Sequence, residues 1–265
     1  MKKSIIQGIF IIALFFSIYG ILSMVDWISF FKIETITEKS EAKIGDLFWK
    51  MFQENEKENK NAYLNHSVDS IIDKICFANK IDRKIVKLHI VNKAEINAFA
   101  LPGGHLVVYS GLITHSENQE ELSGVLCHEI GHIALNQVMK KLVKEVGISV
   151  LISMSTGNTG TQVIRETAKK LSSTAFDRSM EKEADLKAVD FMIQAEINPL
   201  PFADFLNTLA DKEPEDLKYF SWINTHPDSK ERSKYIIEYA KGKSFHKKSI
   251  LHTSTWEKIK KDIQE

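Results

Sequence analysis

Cysteine is nearly absent: the 265 residues hold only Cys76 and Cys127. Two thiols cannot build a disulfide scaffold, and neither sits in a C-x-x-C pair, so both read as buried thiols. Net charge is absent too, with 35 basic residues against 35 acidic ones. A nucleic-acid binder would carry a basic excess or stripe, so no nucleic-acid partner is expected. Internal repeats are lacking. Beyond the N-terminus there is no apolar run of spanning length. The stretch 146–154 (VGISVLISM) is too short to cross a bilayer and reads as core or as a segment lying on a membrane surface. What remains is an ordinary globular composition, 43% hydrophobic and 26% charged, enough for a real core.

The one long apolar run is Ile5 to Val25, uncharged, preceded by Lys2 and Lys3 and closed by Asp26 and Trp27. It is long enough to span a hydrocarbon core and predicts an N-terminal membrane anchor over residues 1–25. A cleaved signal peptide is the rival. Its apolar region is normally shorter and ends in a small-x-small site, whereas Ile18 and Ile21 are bulky where small residues are preferred. Either way the lysines stay inside and the rest is extracytoplasmic, periplasmic in a two-membrane bacterium. A linker is expected over 26–40, the main domain over 41–242, and a tail with a terminal helix over 243–265.

The periodicity then predicts an α+β fold, mainly helical with one small sheet. Ile44, Leu47, Phe48 and Met51 recur at helical spacing, as do Ile71, Ile72 and Ile75. Residues 87–91, 97–100 and 106–109 read as strands, with Pro102-Gly103-Gly104 as a turn. Residues 117–137 read as one long helix, with helices again at 162–173, 179–194, 202–209, 229–240 and 255–263.

Chemistry concentrates in His128-Glu129-Ile130-Gly131-His132, an H-E-x-x-H motif on an apolar-faced helix. Histidines four apart share one face, so both imidazoles can reach one Zn2+. Glu129, beside that face, is placed to take a proton from a metal-bound water. Gly131 costs about 1 kcal/mol against Ala in a helix, which points to something packed against the backbone there. A catalytic zinc site needs a third protein ligand. The extended motif with a histidine six residues on is excluded, because Leu135 and Val138 stand at its positions. Glu181 and Asp185, four apart on a later helix, supply the alternative. Glu181 is assigned to the metal and Asp185 to the N–H of a ligand imidazole, His128. Glu183 reads as a solvated charge.

With these motifs in hand, the sequence resembles metallopeptidase family forty-eight, the HtpX-like and CAAX-prenyl-protease-like zinc endopeptidases, and within it the single-anchor bacterial periplasmic members. The resemblance rests on Asn97-Ala98-Phe99-Ala100-Leu101-Pro102-Gly103-Gly104, the H-E-x-x-H block, Glu181-x-x-x-Asp185, and Thr225-His226-Pro227 with Arg232. Gln137 departs from it, standing where many members carry an additional histidine. The resemblance implies a gluzincin fold with the active-site helix under a small sheet. It also implies one zinc per chain and proteolysis of unfolded or misassembled envelope proteins. Strand Asn97, Ala98, Phe99, Ala100 would offer its edge to an extended substrate. His226, otherwise a surface loop histidine, would join the active site, either as a donor to the oxyanion or as a fourth zinc ligand closing the site. Arg232 would pin the His226 loop through a carboxylate. A tethered chaperone-like or binding module of the same fold and a closed structural zinc site are the competing expectations. Glu129 argues against the former, since a pure binder needs no base.

Overall fold

The chain is described by a computed structural model, which covers residues 7, 12–17, 20, 38–211, 220–243 and 248–264. It divides into two units, Met1–Thr37 and Glu38–Glu265. In the first, residues 12–17 are helical and exposed. Most of the apolar run 5–25, and the linker up to residue 37, lie outside the described residues. Among the described residues no helix is long and apolar enough to cross a membrane.

The second unit opens with α1 (Glu38–Gln53), which starts inside the stretch expected as linker and buries Ile44, Phe48 and Trp49. Helix α2 (Ala62–Ala78) begins where the Asn61 side chain accepts from the backbone of Tyr63 and Leu64, satisfying two otherwise orphaned N–H groups. Strands β1 (Lys87–Val91), β2 (Ala98–Leu101) and β3 (His105–Tyr109) form one sheet in the order β1-β3-β2, with β1 parallel and β2 antiparallel to β3. The turn between β2 and β3 needs Gly104: its φ is 76°, and a Cβ there would overlap the carbonyl of Ile85. The segment after α1 is tied to the sheet, because Glu58 bridges to Val91 and its carboxylate meets His89 Nδ1 at 3.0 Å.

Helix α3 (Ser110–His115) leads into α4 (Gln119–Ala134), which carries the H-E-x-x-H motif. Asn118 caps α4 by accepting from Glu121 N. The expected single helix over 117–137 is shorter in the structure. Asn136 takes a left-handed conformation, φ 54°, which a right-handed helix cannot pass through, and Gln137 starts α5 (Gln137–Val146) instead. There follow α6 (Ile148–Thr156), α7 (Thr161–Ser173), α8 (Arg178–Gln194), α9 (Leu200–Ala210), α10 (Ser221–Thr225), α11 (Ser229–Ala240) and α12 (Thr253–Gln264). In α6, Leu151 and Met154 are buried while Ile152 is exposed. Helix α12 buries Trp256 and Ile259 in the same core as the rest, so it belongs to the second unit.

Helix α4 is the axis of this unit. It packs on β2, α2, α8 and α9, and every residue from Glu121 to His132 is buried. Its apolar side chains Leu122, Val125, Leu126 and Ile130 meet Ile71, Ile75, Met192, Phe202 and Leu206 in one cluster. Each such side chain fully buried contributes about 1.5–3 kcal/mol, so the motif rides on the best-anchored element of the fold. Gly131 lets α8 come close: a Cβ there would lie 3.2 Å from the Ala184 carbonyl oxygen. The close approach sets Glu181 opposite the two histidines.

Candidate metal centre

Four donors converge in the interior: His128 and His132 from α4, Glu181 from α8, and His226 from the loop after α10. His128 Nε2 and His132 Nε2 are 3.0 Å apart. Glu181 Oε2 is 3.6 Å from the first and Glu181 Oε1 3.5 Å from the second. His226 Nδ1 lies 3.2 Å from His128 Nε2 and 2.9 Å from Glu181 Oε1. A tetrahedral zinc with Zn–N bonds near 2.0–2.1 Å sets its ligand atoms about 3.3–3.4 Å apart, so these separations fit one ion.

The proton inventory makes the same point. His128 Nδ1 sits 2.8 Å from Asp185 Oδ1 and His132 Nδ1 sits 2.7 Å from Gln137 Oε1. A carboxylate and an amide oxygen only accept, so both Nδ1 atoms carry the proton and both Nε2 atoms present lone pairs. Two lone pairs facing each other at 3.0 Å beside a carboxylate repel unless a cation lies among them. Buried Glu181 Oε2 and His226 Nε2 moreover make no hydrogen bond, although Arg232 Nη1 stands 2.8 Å from the former and Glu129 Oε1 3.3 Å from the latter. The residues present therefore fit a bound metal ion.

Glu129 sits beside this cluster, fully buried, without being one of its four donors. Its Oε1 accepts from Trp222 Nε1 at 3.1 Å and its Oε2 from the backbone N–H of Ala100 at 3.2 Å. Burial pushes its pKa up, but His226, His128 and His132 together hold it down at about 2. Tyr109 N donates to Asn97 O, and antiparallel alternation along the register Ala98↔Val108 and Ala100↔Leu106 then turns the backbone of Ala98 and Ala100 away from β3. The outer edge of β2 thus faces Glu129. The side chains of Asn97, Ala98, Phe99 and Ala100 are all buried, and Phe99 packs edge-on against Tyr109.

Arg232 of α11 joins the pieces. Its Nε and Nη2 fork onto Asp185 at 2.8 and 2.7 Å, Nη1 meets Glu181 Oε2 at 2.8 Å, and Nη1 also donates to the His226 carbonyl at 3.2 Å. A buried guanidinium against two carboxylates holds Asp185 at about 2, although burial alone would raise it. Tyr235 adds its hydroxyl to Asp185 Oδ2.

Several participants carried no recognisable spacing. Phe176 stacks on the His132 ring at 3.9 Å, its backbone donates to Thr225 O, and Lys141 Nζ lies 4.1 Å from its ring centroid. Lys141 itself is buried and donates to the carbonyls of Leu171 and Thr174. Trp222 and Gln137, each near a helix start, and Tyr235, in the middle of α11, likewise sit singly. Glu183, expected as a free solvated charge, is exposed but accepts from Gln137 Nε2 at 2.7 Å.

The model of peptidase family M48 matches residues 58–240, more than half of the chain and the whole stretch that builds this centre. The chain belongs to peptidase family M48. Among curated relatives it is 30% identical over 164 residues to metalloprotease LoiP of Escherichia coli, covering 60% of this chain and 64% of that protein. It is 24% identical over 219 residues to the putative beta-barrel assembly-enhancing protease of Vibrio cholerae, covering 76% and 45%. To the mitochondrial metalloendopeptidase OMA1 of Arabidopsis thaliana it is 27% identical over 149 residues, covering 56% and 30%. The chain spans under half the length of the latter two relatives.

Proposed function

We propose that this M48 chain is a zinc-dependent endopeptidase, with His128, His132 and Glu181 as ligands and Glu129 as general base. The observation that carries the reading is the convergence of two imidazole lone pairs and a carboxylate beside a second buried carboxylate that is not one of the converging donors. Bound zinc supplies a Lewis acid and brings the pKa of a water it holds towards neutrality. Glu129 accepts the proton of the attacking water and passes it to the leaving amine. The outer edge of β2 pairs main chain to main chain with an extended substrate, which places the scissile bond beside Glu129. Asp185 keeps His128 in the Nδ1–H tautomer, and Arg232 balances Asp185 and Glu181.

The substrates in this reading are unfolded or misassembled extracytoplasmic proteins, reached from a membrane anchor in residues 5–25. Relatives named as beta-barrel assembly-enhancing proteases support an envelope setting. Main-chain pairing reads little side-chain identity, which suits quality control. The test is digestion of casein by the full chain, with and without a chelator, against Glu129→Gln. Chelator-resistant digestion would overturn it.

One observation favours a second reading. His226 Nδ1 lies among the donors, and four protein donors are the number of a closed site. As a fourth ligand His226 holds the enzyme off until its loop moves.

A further inference from the structure

His128 is backed directly by a carboxylate, Asp185, whereas His132 is backed by a neutral amide. That amide belongs to Gln137, fully buried at the start of α5. Its Oε1 is 2.7 Å from His132 Nδ1 and its Nε2 is 2.7 Å from Glu183 Oε2. A carboxylate at 183 can only accept, so it claims the NH2 end of the amide. The oxygen is thereby turned to His132, which must put its proton on Nδ1 and its lone pair on Nε2. The orientation of a buried amide, and through it the tautomer of a histidine, is set by a charge on the exposed face of α8.

We propose that Gln137 and Glu183 are positioning residues, a carboxylate–amide–imidazole relay that fixes His132 in its metal-binding tautomer. The inference rests on the zinc site proposed above. Geometry on both sides supports it. Asn136 in its left-handed conformation ends α4 and brings Gln137 back under His132, five residues on. On α8, Glu183 lies two residues from Glu181 and points to another face, yet reaches the same centre through the amide. The device orients His132 without setting a second full charge against the ligands, which already include one carboxylate.

The relay makes an unusual demand of a surface position. Glu183→Lys places a donor where an acceptor stands. The amide then flips to offer Oε1 to the ammonium and N–H to His132, which drives the imidazole proton to Nε2. Glu183→Ala removes the constraint without reversing it. Gln137→Met keeps the volume and loses both hydrogen bonds. Gln137→His restores an acceptor and a donor on one ring, so it is the rescuing variant.

The experiment uses the full chain in detergent, with zinc affinity read by chelator competition and the His132 tautomer by imidazole 15N resonances of the zinc-free protein. Gln137→Met should weaken zinc about 10–100-fold and Gln137→His should recover most of that, as losses around a ligand histidine do. Glu183→Lys should weaken zinc more than Glu183→Ala, and neither should add to Gln137→Met, because the three groups act as one. Wild-type affinity in Gln137→Met, or equal effects of Lys and Ala at 183, overturns the relay. Should Gln137→Met fail to fold, the pair of exposed Glu183 variants still decides. A wild-type chain that binds no zinc overturns the metal reading instead, while the tautomer signal, Nδ1–H in wild type and Nε2–H in Glu183→Lys, tests the relay by itself.

Discussion

The backbone N–H of Ala100 donates to Glu129 Oε2 at 3.2 Å, joining the outer edge of the sheet to the carboxylate beside the metal cluster. The strand proposed to hold substrate and the carboxylate proposed as the base are therefore in direct contact. Under the proposed function, a substrate paired along β2 would compete for that N–H and free one oxygen of Glu129.

Glu129→Gln should leave one zinc per chain by elemental analysis and an unchanged fold, while lowering casein turnover by about 10²–10⁴, the usual worth of a positioned general base. The neutral amide keeps the volume but its single oxygen accepts from only one of Trp222 and Ala100, so the packing of α4 is what should hold the structure. Activity retained alongside full zinc would remove Glu129 from its role.

Glu181→Ala should weaken zinc more than Asp185→Ala, which should cost about 10–100-fold in affinity. Asp185→Ala carries a second penalty, because it strips the buried Arg232 of its fork partner. Breaking one half of a buried ion pair costs about 3–5 kcal/mol, visible as a lower midpoint in urea. A variant with wild-type stability would show that Glu181 alone suffices to balance Arg232.

His226→Ala should raise turnover of an unfolded protein, because His226 Nδ1 sits among the donors at rest. A fall of about 10²–10³ would place His226 at the oxyanion instead. Equal rates would return it to a structural part in the loop.

Away from the centre, His89 Nε2 and His105 Nδ1 meet at 2.9 Å under the Trp49 ring, with Glu58 at one end and Asp46 and Lys87 at the other. Burial, Lys87 and His89 lower His105 to about 4 against the pull of Asp46. Because the unfolded pKa is higher, near 6.5, the unfolded chain binds the proton first as pH falls. The stability from this group is full above about pH 6.5 and is lost towards pH 4, on the order of 1–3 kcal/mol. Urea midpoints at pH 7 and pH 5 should separate more for wild type than for His105→Gln. Parallel pH dependence would show that His105 is not the group responsible.

The α+β class and the order of elements were legible because each rests on periodicity: Ile71, Ile72 and Ile75 at helical spacing, the short β-rich runs around Pro102-Gly103-Gly104. The quartet His128, His132, Glu181 and Asp185 was legible for the same reason, since four-residue spacing fixes a shared face before any tertiary contact is known. Gln137 was hidden because its place depends on the left-handed turn at Asn136, and an uninterrupted helix over 117–137 would have carried it elsewhere. Glu183 read as a free charge because its partner is 46 residues away in sequence. Lys141, Phe176 and Trp222 act through contacts made only once α4, α5, α7 and α10 have packed, and no pattern along the chain announces them.

Phe176, stacked on the His132 ring with the Lys141 ammonium 4.1 Å from its own centroid, would impose a duty cycle on any motion that bares His132. Uncovering its ring to water costs about 1.5–3 kcal/mol, so a motion that bares His132 leaves roughly one molecule in 10 to one in 150 uncovered at any instant. Intrinsic speed at the metal and observed speed in a tube would then differ by that factor, and a polar residue in place of Phe176 would narrow the gap without touching a single ligand.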